Sequence, residues 1–150
     1  MSNKRVIVLC GVSGVGKTHA RLHDPELASL PFVDIADVYR DLDWAESYQV
    51  TLALATKTRK LLREHDCVVV EGYFIPGSLT RNMLDHNFGL DTTLEYRLMV
   101  EPIEVCRERV ISSGEDVDLR LEILNSVWAK SGSVLLRMKR EGKTWEPDYE

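Results

Sequence analysis

Eight residues, Gly11-Val12-Ser13-Gly14-Val15-Gly16-Lys17-Thr18, match the spacing G-x-x-x-x-G-K-[ST], with a third glycine at Gly14 and a second hydroxyl at Ser13. Glycines let a backbone curl around phosphate oxygens with its N–H groups pointing inward. A helix starting at the end of such a loop adds its own unpaired N–H groups and the positive end of its dipole. Lys17 has the length to reach β- and γ-phosphates, and Thr18 carries the hydroxyl that ligates Mg²⁺ in such sites. The expected ligand is therefore ATP with Mg²⁺. Gly11, Ser13, Gly14, Val15, Gly16, Lys17 and Thr18 form the nucleotide-binding set, and Thr18 is the metal ligand.

Such a loop works only between a strand and a helix. Val6 to Cys10 is an unbroken apolar run, as in a strand buried on both faces. A short helix from Lys17 to about His23 follows, stopped by Pro25. A second strand is expected from Phe32 to Ala36, ending near Asp37. Asp43 and Glu46 have capping-box spacing before a helix from Trp44 to about Glu64. Cys67 to Val70 reads as a third strand, and Ser78 as the cap of a short helix through Asp85. Leu94 to Val100 reads as a fourth strand, of mixed polarity and so near a sheet edge.

A helix from Pro102 to about Ser112 carries the apolar stripe Ile103, Cys106 and Val110. After the loop 113–116 come a helix over 117–129, a last strand over 134–138 and an exposed tail over 143–150. Strands alternating with helices predict a single α/β domain over 1–150. It is a three-layer α/β/α P-loop NTPase fold with a mostly parallel central sheet.

The chain has 150 residues and a formal net charge of -5. That balance argues against a long duplex lying across the surface, which needs a broad basic face, but leaves room for a nucleic-acid end. Cys10, Cys67 and Cys106 sit far apart beside apolar runs and read as small core residues. The apolar run near the start is too short for a membrane span, so a cytoplasmic protein is expected. His19, His23, His65 and His86 show no metal-like grouping.

In open α/β sheets ligands gather beyond the carboxyl ends of the strands. Asp37, Glu71 and Glu101 fall there, while Asp34 is a weaker candidate inside the strand run. The phosphate loop together with Asp37-Val38-Tyr39-Arg40 resembles the P-loop polynucleotide kinase family and its small-molecule kinase relatives of AAA type. Members of that family move the γ-phosphoryl group of ATP to a hydroxyl. The resemblance implies Asp37 as general base, Arg40 on the acceptor's phosphate, and Arg109, with Arg107 in reserve, entering a lid over ATP. Lys17, Asp37 and Arg109 are then the catalytic set.

Glu71 is placed to hold a water on Mg²⁺ or to bind the acceptor, and Tyr73 to shape the acceptor pocket. Tyr73 or Phe74 could stack on a base, although aromatics there serve the core as often. The chain departs from the family in its lid: 110–116 holds no basic residue, and Arg120 is the available substitute. The acceptor is a small molecule or a nucleic-acid end, among them a nucleoside, a nucleotide and a polynucleotide 5′ end. Two alternatives stand beside this reading. A nucleotide monophosphate kinase would carry an arginine after Pro76, where Gly77 stands. The other is a non-kinase P-loop NTPase acting as a switch or a regulatory ATP-binding protein; a switch GTPase would carry Asn-Lys-x-Asp, which is missing from the sequence.

Overall fold

The computed structural model describes residues 3–147. Among them four strands form one parallel sheet in the order β2-β3-β1-β4. These are β1 (Lys4–Cys10), β2 (Phe32–Asp34), β3 (Cys67–Gly72) and β4 (Thr92–Leu98). The helices are α1 (Lys17–His23), α2 (Ile35–Asp41), α3 (Ser47–Leu62), α4 (Leu79–His86), α5 (Ile103–Ser113) and α6 (Val117–Arg140).

β1 is interior and its residues 6–10 are fully buried, because both faces of the sheet are covered. Val6, Val8 and Cys10 point to the larger core with Val68 and Val70, while Ile7 and Leu9 share the smaller one with Val69 and Leu27. The register pairs Val6 with Val68 and Ile7 with Val69, so side chains of one parity stay on one face. From β1 the chain first builds toward β3 and β2, then returns to place β4 on the other side. That reversal opens a crevice at the carboxyl end of β1, where the phosphate loop begins.

β4 lies at Thr92–Leu98, two residues before the expected Leu94 to Val100, and three further departures have a local reason. β2 stops at Asp34 rather than Ala36, because the Asp34 side chain accepts the Ala36 N–H (2.9 Å) and starts α2 as its N-cap. α3 begins at Ser47 rather than Trp44. Asp43 (φ 52°) and Trp44 (φ 57°) lie in the left-handed region and the Trp44 N–H turns back to the Tyr39 carbonyl (2.7 Å), so no capping box forms.

The expected last strand over 134–138 is instead the second half of α6, a single helix of 24 residues. A short apolar run does not distinguish strand from buried helix; here Leu124 and Leu135 enter the core at helical spacing. Gly132 does not break the helix, and the Trp128 indole packs over it where a Cβ would lie 2.7 Å from Nε1.

The tail is partly tied down as well. The Trp145 N–H donates to the Leu98 carbonyl (2.7 Å) and its ring packs against both cores, covering the β4 edge. Residues 148–150 of the expected exposed tail lie outside the described residues. Cys10 and Cys106 are buried, and burial pushes both thiols up to about 11, so they pack as protonated core groups.

Candidate active site

The strand-to-helix turn from Gly11 to Thr18 closes around the amino end of α1. Gly14 (φ 81°) requires glycine twice over: its φ is left-handed, and a Cβ would stand 2.3 Å from the Cys106 carbonyl oxygen. Gly16 (φ 111°) is the N-cap of α1 and has no side chain to satisfy the first-turn N–H groups. Val15 is buried beneath the loop, and Ser13 donates to the Tyr73 hydroxyl (3.3 Å). Lys17 folds over the loop, its Nζ donating to the carbonyls of Gly11 (2.5 Å) and Val12 (3.3 Å). Arg109 reaches down from α5, with Nη1 donating to the carbonyls of Gly14 (3.2 Å) and Val15 (3.0 Å).

Below the loop, Glu71 is buried at the end of β3. One of its oxygens accepts the Thr18 hydroxyl (2.8 Å), and the other is ion-paired with Arg21 of α1. Thr18 and Arg21 are three residues apart and therefore share a helix face. The Arg21 guanidinium also lies over the Phe32 ring at 3.5 Å. Arg21 escaped the sequence reading, and the only signal for it was that spacing from Thr18.

Asp34 is the cross-strand register partner of Glu71. The two carboxylates thus stand on adjacent strands at the mouth of the crevice. Burial and the Glu71 charge hold the Asp34 carboxyl above its ordinary value.

The cleft over the loop is lined by Lys17, Thr18, Asp34, Glu71, Arg40, Arg109 and Arg120, among others. Asp37 is not among them. With β2 shortened by two residues, Asp37 falls in the first turn of α2, 58% exposed, where it borders a separate surface depression with Lys57 and Lys60. The strand-end position expected of Asp37 is taken by Asp34.

Arg40 reaches the cleft, but its guanidinium is held by Asp116 (2.7 Å), Asp37 (2.9 Å) and Glu115 (3.4 Å). The acidic loop between α5 and α6 is thereby tied to α2. Arg120 also lines the cleft and donates from Nη1 to the Ser113 hydroxyl (2.9 Å) and the Glu115 carbonyl (3.2 Å). Glu101 lies outside the cleft, paired with Lys139 (3.3 Å), and Arg107 faces Asn125 (2.8 Å) instead.

Tyr73 stands at the cleft's inner wall, and the Lys17 ammonium sits 4.9 Å from its ring centre. Phe74 (φ 22°) folds its ring back onto Gly72, where a Cβ would lie 2.2 Å from the ring edge. Phe74 is therefore a core residue, and the sharp turn leaves Tyr73 facing the cleft.

Burial pushes the Lys17 ammonium down to about 8, against the opposing pull of Glu71 and Asp34. A polyphosphate alongside would favour the charged amine and raise that value. Nucleotide binding should then take up a proton once the free protein is above pH 8. Affinity is expected to fall by up to about tenfold per pH unit above that point. Titration calorimetry on both sides of this pH, in two buffers of different ionisation enthalpy, measures the uptake. PH-independent affinity without proton uptake would contradict it.

No family model and no curated protein sequence matches the chain. Solved structures do match. A chain of the Pnkp1/Rnl/Hen1 RNA repair complex superposes with a TM-score of 0.59 at 15% identity, over 87% of this chain and 47% of that one. This chain thus spans about half the length of that relative. A gluconokinase from Sinorhizobium meliloti 1021 superposes with a TM-score of 0.55 at 18% identity, over 83% of this chain and 75% of that one. Among the described residues, no helix is long and apolar enough to cross a membrane. The parallel α/β fold described above is thus shared with both of these structures.

Proposed function

We propose that the chain is an Mg²⁺-dependent phosphotransferase that moves the γ-phosphoryl group of ATP to an acceptor hydroxyl. The observation that carries this reading is the pairing of Asp34 with Glu71 in register, facing a complete phosphate loop. The likeness in fold to a gluconokinase and to a chain of an RNA repair complex is consistent with it.

Among the described residues no three His, Cys, Asp or Glu side chains converge into a protein-only metal cage. Mg²⁺ needs none, since it keeps several waters and takes one or two carboxylates together with substrate phosphate oxygens. The Thr18 hydroxyl with the Glu71 carboxylate is a donor set of that kind. When bound, the ion supplies charge neutralisation on the phosphates.

The chain's own groups do the rest. Lys17 and the loop N–H groups hold the phosphates, and Arg109 approaches the same loop from α5 to balance charge on the transferring group. The acceptor oxygen attacks the γ-phosphorus and the bond to the β–γ bridging oxygen breaks, so that ADP leaves. The hydroxyl proton passes to the Asp34 carboxylate, whose raised affinity for protons suits a general base.

The test is transfer of labelled γ-phosphate from ATP across nucleosides, mononucleotides, 5′-hydroxyl DNA and RNA, sugars and aryl alcohols. A labelled phosphomonoester is expected from at least one class. Tight ATP binding with no transfer to any of them would reduce the chain to a nucleotide-binding protein.

A further inference from the structure

Beside the phosphate cleft lies a second, larger cavity of about 530 Å³, within the range of small-molecule sites. The two are adjacent, with Ile35 and Tyr73 lining both. One wall is aromatic. Tyr39 stacks on Trp44 with ring centres 5.3 Å apart and meets Tyr73 at 6.2 Å. The Tyr39 hydroxyl is held by Ser47 (3.1 Å), which fixes its ring. The opposite wall is one face of α6, with Leu119, Glu122, Ile123, Ser126, Val127 and Lys130 at helical spacing.

The charges bordering this cavity are Glu46 and Glu122 against Lys130, so carboxylates outnumber cations. In the neighbouring cleft the balance is reversed, with Lys17, Arg40, Arg109 and Arg120 against Asp34, Glu71 and Glu115. Arg40, the residue expected to hold an acceptor's phosphate, borders that other cleft and is engaged by three carboxylates. A phosphomonoester in the larger cavity would face two carboxylates, Glu46 and Glu122, against the single cation Lys130. A flat uncharged ring would instead find aromatic faces at stacking distance.

We infer that the acceptor is an uncharged, ring-bearing alcohol without phosphate, its ring held by Tyr39, Trp44 and Tyr73 and its hydroxyl presented past Tyr73 to the phosphate loop. The inference rests on the phosphotransferase reading for the word acceptor. The ring-binding cavity stands on its own geometry.

Trp44 makes binding directly observable, independently of any transfer. Quenching of tryptophan fluorescence is measured in the full chain with nucleosides and aryl alcohols, with their matched monophosphates, and with sugars and polyols, which carry no flat ring. Thymidine and thymidine 3′-monophosphate form the key pair. Both carry the 5′-hydroxyl, and they differ by the phosphate that a polynucleotide end would carry. Repeating the series in Lys17→Ala removes the donor amine and with it a competing site for the phosphate group.

At least one ring-bearing alcohol is expected to bind about tenfold or more tightly than its monophosphate. It should also out-compete every sugar and polyol and lose its quenching signal in Trp44→Phe. Glu122→Lys, on the exposed rim, is expected to narrow the gap between alcohol and monophosphate, which a merely structural residue would not do. The inference is overturned if the tightest ligand is a phosphomonoester or a ring-free polyol, or if no ring-bearing alcohol quenches. Selective ring binding without phosphoryl transfer would instead overturn the phosphotransferase reading and leave the ring site in place.

Discussion

Replacing Asp34 by asparagine is expected to lower turnover by about 10²–10⁴-fold, the contribution typical of a positioned general base. Nucleotide affinity should change little. Asparagine is as good an N-cap as aspartate, so the bond to the Ala36 N–H and the start of α2 survive. The variant therefore removes the base without removing the structure around it. Asp37→Asn is the informative partner. Asp37 is exposed on α2 and outside the cleft, so its loss should leave turnover close to that of the parent. Steady-state kinetics on the two variants with one acceptor decide the matter. A severe defect in Asp37→Asn beside a mild one in Asp34→Asn would return the base to the position that the Asp-x-Tyr-Arg resemblance implies.

The largest effect on stability is expected from Glu71→Ala. Glu71 is 1% exposed and Arg21 is 9% exposed, so the change strands a buried guanidinium. Breaking such a pair from one side typically costs about 3–5 kcal/mol. The Thr18 hydroxyl loses its acceptor as well. Glu71→Gln keeps an acceptor for Thr18 and should be milder. The double variant Glu71→Leu/Arg21→Met removes both charges and should recover much of the loss, because apolar replacement of a whole buried pair is often near neutral. Urea denaturation of the three variants measures this. A Glu71→Ala midpoint equal to that of the parent would mean that the pair adds nothing to folding.

The phosphate loop was legible because its demands are local: two glycines, an amine and a hydroxyl at fixed spacing, between an apolar run and a helix. The parallel sheet followed from the same alternation of short apolar runs with helices. What escaped the sequence were features decided by single side chains folding back on the backbone. Asp34 capping α2 shortened β2 by two residues, which exchanged the places of Asp34 and Asp37 relative to the crevice. The left-handed pair Asp43 and Trp44 turned Trp44 into the second cavity, where no periodicity could have placed it. The run at 134–138 was ambiguous in itself. It was settled as helix by the distant core that Leu135 enters.

α6 has a mechanical side. At about 1.5 Å per residue, its 24 residues make a rod on the order of 36 Å long. Near its carboxyl end, Lys139 is fastened to the Val100 carbonyl (2.8 Å) and to Glu101, and the chain beyond it to β4 through Trp145. Its amino end is tied across the cleft by the exposed bonds of Arg40 to Glu115 and Asp116, which ions in solution weaken. Between these ends Leu124 and Leu135 seat the rod in the core. The wall of the ring-lined cavity is therefore a braced beam. Ionic strength acts on the tie at its amino end and leaves the core seating untouched.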